Sequence, residues 1–420
     1  MKKKGNKKTQ SHVTVVEGVI KHICERPFLN DFIFLRAKRV DNGNEFTDLL
    51  LILDNSCVCV EIKTSNKIRL PNDLINWVNT KLAEAHGQLI EGFDAVMKSS
   101  LTAKHGWQGR VTFNTGAFRV VAGISLIDYT GPPILVTPYD NMHSGIPIHH
   151  FSISDFLDIA NLLGTLPDIF KYLEQRKLLP EEIRSTIGNE ADIIGEYFLN
   201  ERLSSSLTLS DIAGKWQYLI TKYGPAYERK LRYDEYVLFY NGIIAELHRE
   251  DAELQKNWPK ELVKSSDKPR DKRKYLQIAT QLNKLPLIYR RTLGKRIITA
   301  ANNAEKFKKS RCFYGLDNTQ QWVYAFLFTL DMDRERRIRN LMQLAATACV
   351  KANVKNCIAI ACPSVNSLLG FDYLFYENVR FDDPRLKELV ALEPDLKITT
   401  SRAFPDPEDD VPPVSSLDLQ

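Results

Sequence analysis

Residues 45–63 read EFTDLLLILDNSCVCVEIK and predict two β-strands joined by a tight turn. Leu49–Leu53 and Val58–Ile62 are short apolar runs, and Asp54-Asn55 between them is a typical turn pair. A hairpin with one solvated face would alternate apolar and polar residues, whereas Leu49–Leu53 is apolar throughout. We therefore expect this hairpin to be covered on both faces, inside a mixed α/β sheet.

The register of the hairpin places three charged side chains on one face. If Asp54 and Asn55 form the loop, Asp48 lies directly opposite Glu61, with Cβ atoms roughly 4.5–5.5 Å apart. Lys63 shares that face, because side chains alternate along a strand. Two buried carboxylates repel each other and lose hydration, so a hard divalent cation bound by oxygens is the natural partner. The lysine could then position a water or help to deprotonate it.

This Asp…Glu-x-Lys pattern resembles the active site of the PD-(D/E)XK, or restriction-endonuclease-like, nuclease superfamily over about the first 165 residues. The resemblance implies that Asp48, Glu61 and the carbonyl of Ile62 hold Mg²⁺, for which Mn²⁺ can substitute, and that Lys63 serves the attacking water. Phe46-Thr47 stands before the aspartate in place of the superfamily's proline. The alternative interpretation is a hairpin whose charges are solvated on an exposed face.

Two further residues could complete such a site. Glu17 lies near the start of a helix predicted from Thr14 to about Glu25, and the resemblance implies that it adds an acid to the metal site. Thr14-x-x-Glu17 also matches a capping box, which leaves a structural role open. Gln88 lies on a long helical stretch that Pro71 opens. The resemblance implies contact with the substrate or the lysine, and a solvated helix amide is the alternative.

A basic segment follows the first domain. Residues 256–311 carry 17 Lys and Arg against 4 Asp and Glu, a large excess for a chain of net charge +5. Such a run is often only a solvated face, but beside a nuclease it favours contact with phosphates. The candidate nucleic-acid-binding residues are Lys272, Arg273, Lys274, Arg290, Arg291, Lys295 and Arg296.

The predicted fold is an α/β protein with a restriction-endonuclease-like mixed sheet flanked by helices, followed by a helical region and a small α/β domain. An apolar strand, a helix and another strand at 322–330, 333–351 and 356–362 indicate a βαβ unit in that last domain. The predicted parts are a basic tail (1–10), the nuclease-like domain (11–165), a basic, mainly helical region (166–310), the small α/β domain (311–403) and an acidic, Pro-rich tail (404–420).

Composition limits the cell compartment and the partners. No apolar run approaches 18 residues and no signal peptide is evident, so we expect a soluble, cytoplasmic protein without membrane contact. Seven cysteines without a Cys-x-x-Cys pair indicate buried free thiols in a reducing compartment. There is no Gly-x-x-x-x-Gly-Lys motif, so any ATP-driven step would need a separate ATPase or sensor partner.

These observations predict a Mg²⁺-dependent endonuclease, with DNA as the expected substrate. By resemblance, many stand-alone chains of this build are restriction or antiviral defence nucleases of prokaryotes. Two alternatives stay open: a catalytically weak nucleic-acid-binding or sensor subunit of a larger complex, and an RNA-directed nuclease. Double-strand cleavage would favour a homodimer.

Overall fold

The computed structural model describes residues 32–64, 71–105, 109–129, 132–137, 142–200, 202–224, 236–244, 270–317, 319, 321–330, 333–363, 371–391 and 398–400. For residues 71, 72, 270–276, 334, 363 and 398–400 it describes the main chain alone. The chain forms two compact units: residues 1–227 with 412–420, and residues 228–411.

An eight-stranded mixed sheet forms the centre of the first unit. Its strands are β1 (Ile33–Arg39), β2 (Glu45–Leu53), β3 (Ser56–Lys63), β4 (Leu101–His105), β5 (Gly109–Phe113), β6 (Arg119–Ile127), β8 (Met142–His143) and β9 (Ile146–Ser152), and β7 (Ile134–Leu135) pairs apart from it with β10 (Thr186–Ile187). The order across the sheet is β5-β4-β1-β2-β3-β6-β9-β8. Strand β2 is antiparallel to both of its neighbours, β1 and β3, whereas β3, β6 and β9 are parallel.

The hairpin of β2 and β3 has the predicted register. Leu53 pairs with Ser56 and Leu49 with Val60, around the turn at Asp54-Asn55. Every residue of the run 49–53 is buried. The prediction of a central hairpin covered on both faces is therefore confirmed.

Helices cover both faces of this sheet. Helix α1 (Pro71–Lys98) is continuous and packs its stripe of Leu89, Phe93 and Val96 on the face that carries Leu50, Ile52, Cys57 and Cys59. The opposite face, with Leu49, Leu51 and Val58, packs on helices that follow β9. These are α2 (Ile153–Leu163), α3 (Leu166–Arg176), α4 (Glu181–Arg184), α5 (Glu190–Asn200) and α6 (Leu209–Ile212), and residues 215–224 are also helical.

The predicted boundary near residue 165 is wrong. Leu166, Leu173 and Ile193 belong to the same buried cluster as Leu49 and Val60 of the hairpin. The helices after residue 165 therefore complete the core of the sheet, and the first unit extends to residue 227.

A buried ionic network holds these helices. The guanidinium of Arg176 donates from Nε and Nη2 to the two carboxylate oxygens of Glu190, at 2.8 and 2.9 Å. The hydroxyl of Tyr172 also donates to Glu190. The carboxylate of Asp155 accepts the main-chain N–H groups of Ser152, Gly188 and Glu190. These charges are paired within the core, as burial requires.

The second unit contains a five-stranded sheet of β11 (Arg311–Leu316), β12 (Trp322–Thr329), β13 (Asn356–Pro363), β14 (Asp372–Tyr376) and β15 (Ile398–Thr400). The order across this sheet is β14-β13-β12-β11-β15. The predicted βαβ unit is confirmed, because β12 and β13 are parallel and are joined by α9 (Arg334–Ala352). The other elements are helical residues 236–244, α7 (Arg270–Asn283), α8 (Leu287–Phe307) and α10 (Pro384–Ala391). The predicted boundary at residue 310 also falls inside one unit, since α7 and α8 share a core with β11–β14.

Two predictions from composition can be compared with the described residues. Six of the seven cysteines lie there, and all six are buried free thiols, as predicted; the seventh, Cys24, lies outside the described residues. None of the described helices is long and apolar enough to cross a membrane.

Candidate active site

The site lies where the main-chain pairing between β2 and β3 ends, next to the Leu49–Val60 pair. Asp48 is the next residue of β2 beyond this pair, and its Oδ2 accepts the N–H of Ile62 at 2.8 Å. The hydroxyl of Thr47 donates to the carbonyl of Val60 at 2.9 Å. Side chains of β2 thus replace the main-chain ladder at this point, and they hold the carboxylate of Asp48 against the end of β3.

The charged side chains of the hairpin share the face that α1 covers. Asp48 and Glu61 have the same parity as Leu50 and Cys59, which pack under that helix. The Nζ atom of Lys63 lies 3.1 Å from Oε2 of Glu61.

Gln88 joins this group from α1. Its Oε1 accepts a hydrogen bond from Nζ of Lys63, so this ammonium contacts both the carboxylate of Glu61 and the amide of Gln88. The structure therefore brings together four of the residues that the sequence selected, Asp48, Glu61, Lys63 and Gln88. Their catalytic roles stay predictions.

Burial makes Glu61 difficult to ionise. Only 4% of the residue is exposed. Burial, and then the negative charge of Asp48, raise the pKa of Glu61 from 4.5 to about 8, although Lys63 opposes the shift. The lysine therefore offsets only part of the cost of two adjacent carboxylates.

The pKa of Asp48 is also raised, and burial is again the largest cause. Burial raises the pKa of Asp48, while the hydrogen bond from Ile62 N–H and the positive charges of Lys63 and Arg36 lower it. Both carboxyls thus resist ionisation in the metal-free protein. A cation bound between them would favour the ionised forms of both.

The oxygen atoms at this point suit a hard cation such as Mg²⁺. Asp48 and Glu61 supply carboxylate oxygens. The N–H of Ile62 points toward β2, and because the N–H and C=O of one strand residue point to the same side, its carbonyl does too. Among the described residues, no group of three His, Cys, Asp or Glu side chains could hold a metal ion. A Mg²⁺ ion here would complete its shell with main-chain, water or phosphate oxygens, as this ion commonly does.

The remaining predicted residues are distributed differently. Glu17 lies outside the described residues, and so do the side chains of Lys272, Arg273 and Lys274, which α7 carries. Arg291, Lys295 and Arg296 are partly buried on α8.

Arg290 requires a correction, because its side chain is fully buried. Its guanidinium donates to the carbonyls of Leu285 and Asn283, each at 2.8 Å, and to Oδ1 of Asn241 at 3.0 Å. These acceptors inside the second unit satisfy the charge, so the predicted contact of Arg290 with phosphate does not hold.

The register of the sheet places three further residues next to the site, and the sequence analysis did not identify them. Glu61 pairs with Ser125 on β6, and Ser125 pairs with His150 on β9. Both are buried. On the other side, Arg36 of β1 lies at the level of Asp48. A polar residue within the apolar run of β6 was a visible signal for Ser125, whereas the position of Arg36 depends on pairing that the pattern does not reveal.

Comparisons with protein-family models, with curated proteins and with solved structures found no match to this chain.

Proposed function

We propose that this protein is a Mg²⁺-dependent nuclease that hydrolyses phosphodiester bonds, with DNA as the first substrate to test. One observation carries the proposal: two carboxylates of adjacent strands lie side by side, that of Asp48 partly buried and that of Glu61 buried, and the pKa of Glu61 is raised to about 8 despite the contact with Lys63. A structural ion pair of one acid and one base would not need the second carboxylate. A divalent cation would offset the charge of both acids and favour their ionised forms.

In this proposal Asp48, Glu61 and the carbonyl of Ile62 hold the metal. The bound ion would offset the charge that grows on the phosphate during in-line attack. The N–H of Ile62 fixes one oxygen of Asp48, and the side chain of Asp48 also hydrogen-bonds with that of Glu61, which holds the two carboxyls together. A cation held there would favour the carboxylate form of Glu61, because the positive charge stabilises the ionised acid.

Lys63 serves the attacking water. Its ammonium is held by Glu61 and Gln88, which fixes the direction of Nζ. Two acceptors use two of the three N–H donors of an ammonium, so one donor remains for a water or a phosphate oxygen. A fixed donor at this place orients the water without reorganisation during the reaction.

Affinity for nucleic acid would come from the basic segment 256–311, excluding Arg290. We assign non-specific phosphate contact to its remaining candidate residues, and a restriction or antiviral role belongs to the same proposal. A protein that binds nucleic acid without cleaving it is the second candidate, because Lys63 already offsets part of the charge of the pair.

Cleavage assays separate these possibilities. Purified protein is incubated with supercoiled plasmid, linear duplex DNA and RNA, each in Mg²⁺, Ca²⁺ or EDTA. We expect cleavage in Mg²⁺ and none in EDTA, and the preferred polymer identifies the substrate. Asp48→Asn is the control, since its Oδ1 can still accept the N–H of Ile62 while the charge is lost. Full activity of Asp48→Asn, or binding without cleavage by the wild type, would contradict the nuclease proposal.

A further inference from the structure

Arg36 lies on the strand next to the carboxylate pair, at the level of Asp48. Strand β1 pairs with β2 at Leu35–Leu49 and at Ala37–Thr47, so Arg36 falls opposite Asp48. The sheet is irregular at this point. The register of β1 shifts against β2 between Ala37 and Lys38, and it shifts against β4 between Leu35 and Lys38. Such bulges are over-represented next to active sites, where they redirect a side chain.

The main chain of Arg36 adopts a conformation that is unfavourable for arginine. Its φ angle is +49°, in the left-handed region. Among the described residues, the other non-glycine residues with positive φ lie in turns or just after helices and strands, namely Asp54, Ser144, Lys308, Asn353 and Asn378. Within a strand this conformation costs about 1–2 kcal/mol for a residue with a Cβ. Glycine would avoid that cost, so the presence of an arginine at this position points to a role for its side chain.

The side chain of Arg36 is exposed, unlike the carboxylates beside it. The register places Arg36 opposite Asp48, and Glu45 lies three residues before Asp48 on the same strand. Lys63 approaches Glu61 from the β3 side of the pair, whereas Arg36 approaches Asp48 from the β1 side. A positively charged residue therefore neighbours each carboxylate: Lys63 contacts Glu61, and Arg36 lies opposite Asp48.

We propose that Arg36 binds the phosphate of the substrate at the carboxylate pair. This inference rests on the proposed nuclease function. A planar guanidinium can donate two parallel hydrogen bonds to phosphate oxygens, which fixes the orientation of the phosphate as well as its position. The side chain of Arg36 is exposed, and the residue lies at the level of Asp48.

Arg36→Gly tests the inference, because glycine accepts the positive φ while the guanidinium is lost. Asp54→Gly is the matched control, since Asp54 also has a positive φ, of +58°, but lies in the turn at the other end of β2. Both glycine variants should melt at or above the temperature of the wild type. Arg36→Gly should lose at least tenfold in kcat/KM, and its slope of log Kd against log salt, measured in Ca²⁺ with a short DNA duplex, should fall by about 0.9.

Further variants and outcomes make the test decisive. Arg36→Lys keeps a point charge but not the paired donors, so its kcat/KM should lie between those of the wild type and Arg36→Gly. Asp54→Gly should cleave like the wild type. An Arg36→Gly protein with wild-type cleavage and salt slope would overturn the inference alone. A wild-type protein that cleaves neither DNA nor RNA would overturn the proposed function and this inference with it.

Discussion

Replacement of Glu61 by glutamine tests the electrostatics of the site without reference to catalysis. The pKa of Glu61 is raised from 4.5 to about 8 in the folded protein, so the folded state binds this proton more tightly than the unfolded state. The resulting stability is fully present below pH 4.5 and is lost as the pH rises to about 8. At about 1.4 kcal/mol per pKa unit, the wild type should lose about 4 kcal/mol between pH 5 and pH 9 from this group. The Glu61→Gln variant has no ionisable group at this position, so its free energy of unfolding should not show this loss.

Urea unfolding of both proteins at pH 5, 7 and 9, followed by tryptophan fluorescence, measures this difference. As the pH rises, the free energy of unfolding of Glu61→Gln should increase relative to that of the wild type. Addition of Mg²⁺ should stabilise the wild type more at pH 9 than at pH 5, because the ionised pair binds the cation. At a concentration of ten times Kd, the stabilisation should be about 1.4 kcal/mol. Glu61→Gln should respond to Mg²⁺ weakly at each pH.

Parallel stability profiles of the two proteins would refute this reasoning. They would mean that Glu61 ionises normally, so the two carboxylates are solvated and need no cation. A wild type that Mg²⁺ fails to stabilise at pH 9 would refute the metal site separately, even if the profiles diverge.

Two further predictions concern residues that support the site and the core. Gln88→Ala should lower kcat about tenfold with little change in KM, because Lys63 loses the amide that orients it; Glu91→Ala, exposed on the same helix, should have no effect in the same steady-state assay. Glu190→Gln should lose about 3–5 kcal/mol of unfolding free energy, since it leaves the buried charge of Arg176 uncompensated. A loss below about 1 kcal/mol in urea titrations would show that this buried pair contributes little.

Local signals in the sequence predicted the hairpin and the βαβ unit. The turn pair at Asp54-Asn55 fixes the register of two short apolar runs, so the pairs from Leu53–Ser56 to Leu49–Val60 follow directly. Strand β4 has little local signal, because its residues Leu101–His105 are only half apolar and follow a long helix closely. The boundary at residue 165 was wrong because an amphipathic pattern shows that a helix has a buried face, without showing which sheet covers it.

The candidate site was predictable only where local pairing determines it. Alternation along β2 and β3 places Asp48, Glu61 and Lys63 on one face, and the structure agrees. Arg36 was missed because the apolar pattern does not show which residues of β1 pair with which residues of β2. Arg290 was misassigned because a cluster of charges does not show which member is buried, and main-chain carbonyls can satisfy a guanidinium inside a core.

The most direct test of the central claim is the location of a bound metal. Crystals grown with Mn²⁺ at pH 8 or above, where Glu61 can ionise, are measured for anomalous scattering by manganese. We predict one strong anomalous peak between the carboxylates of Asp48 and Glu61, within about 2.3 Å of an oxygen of each, and no peak at this position in Asp48→Asn. A wild-type map without manganese between these two side chains, with Lys63 still paired to Glu61, would contradict the account.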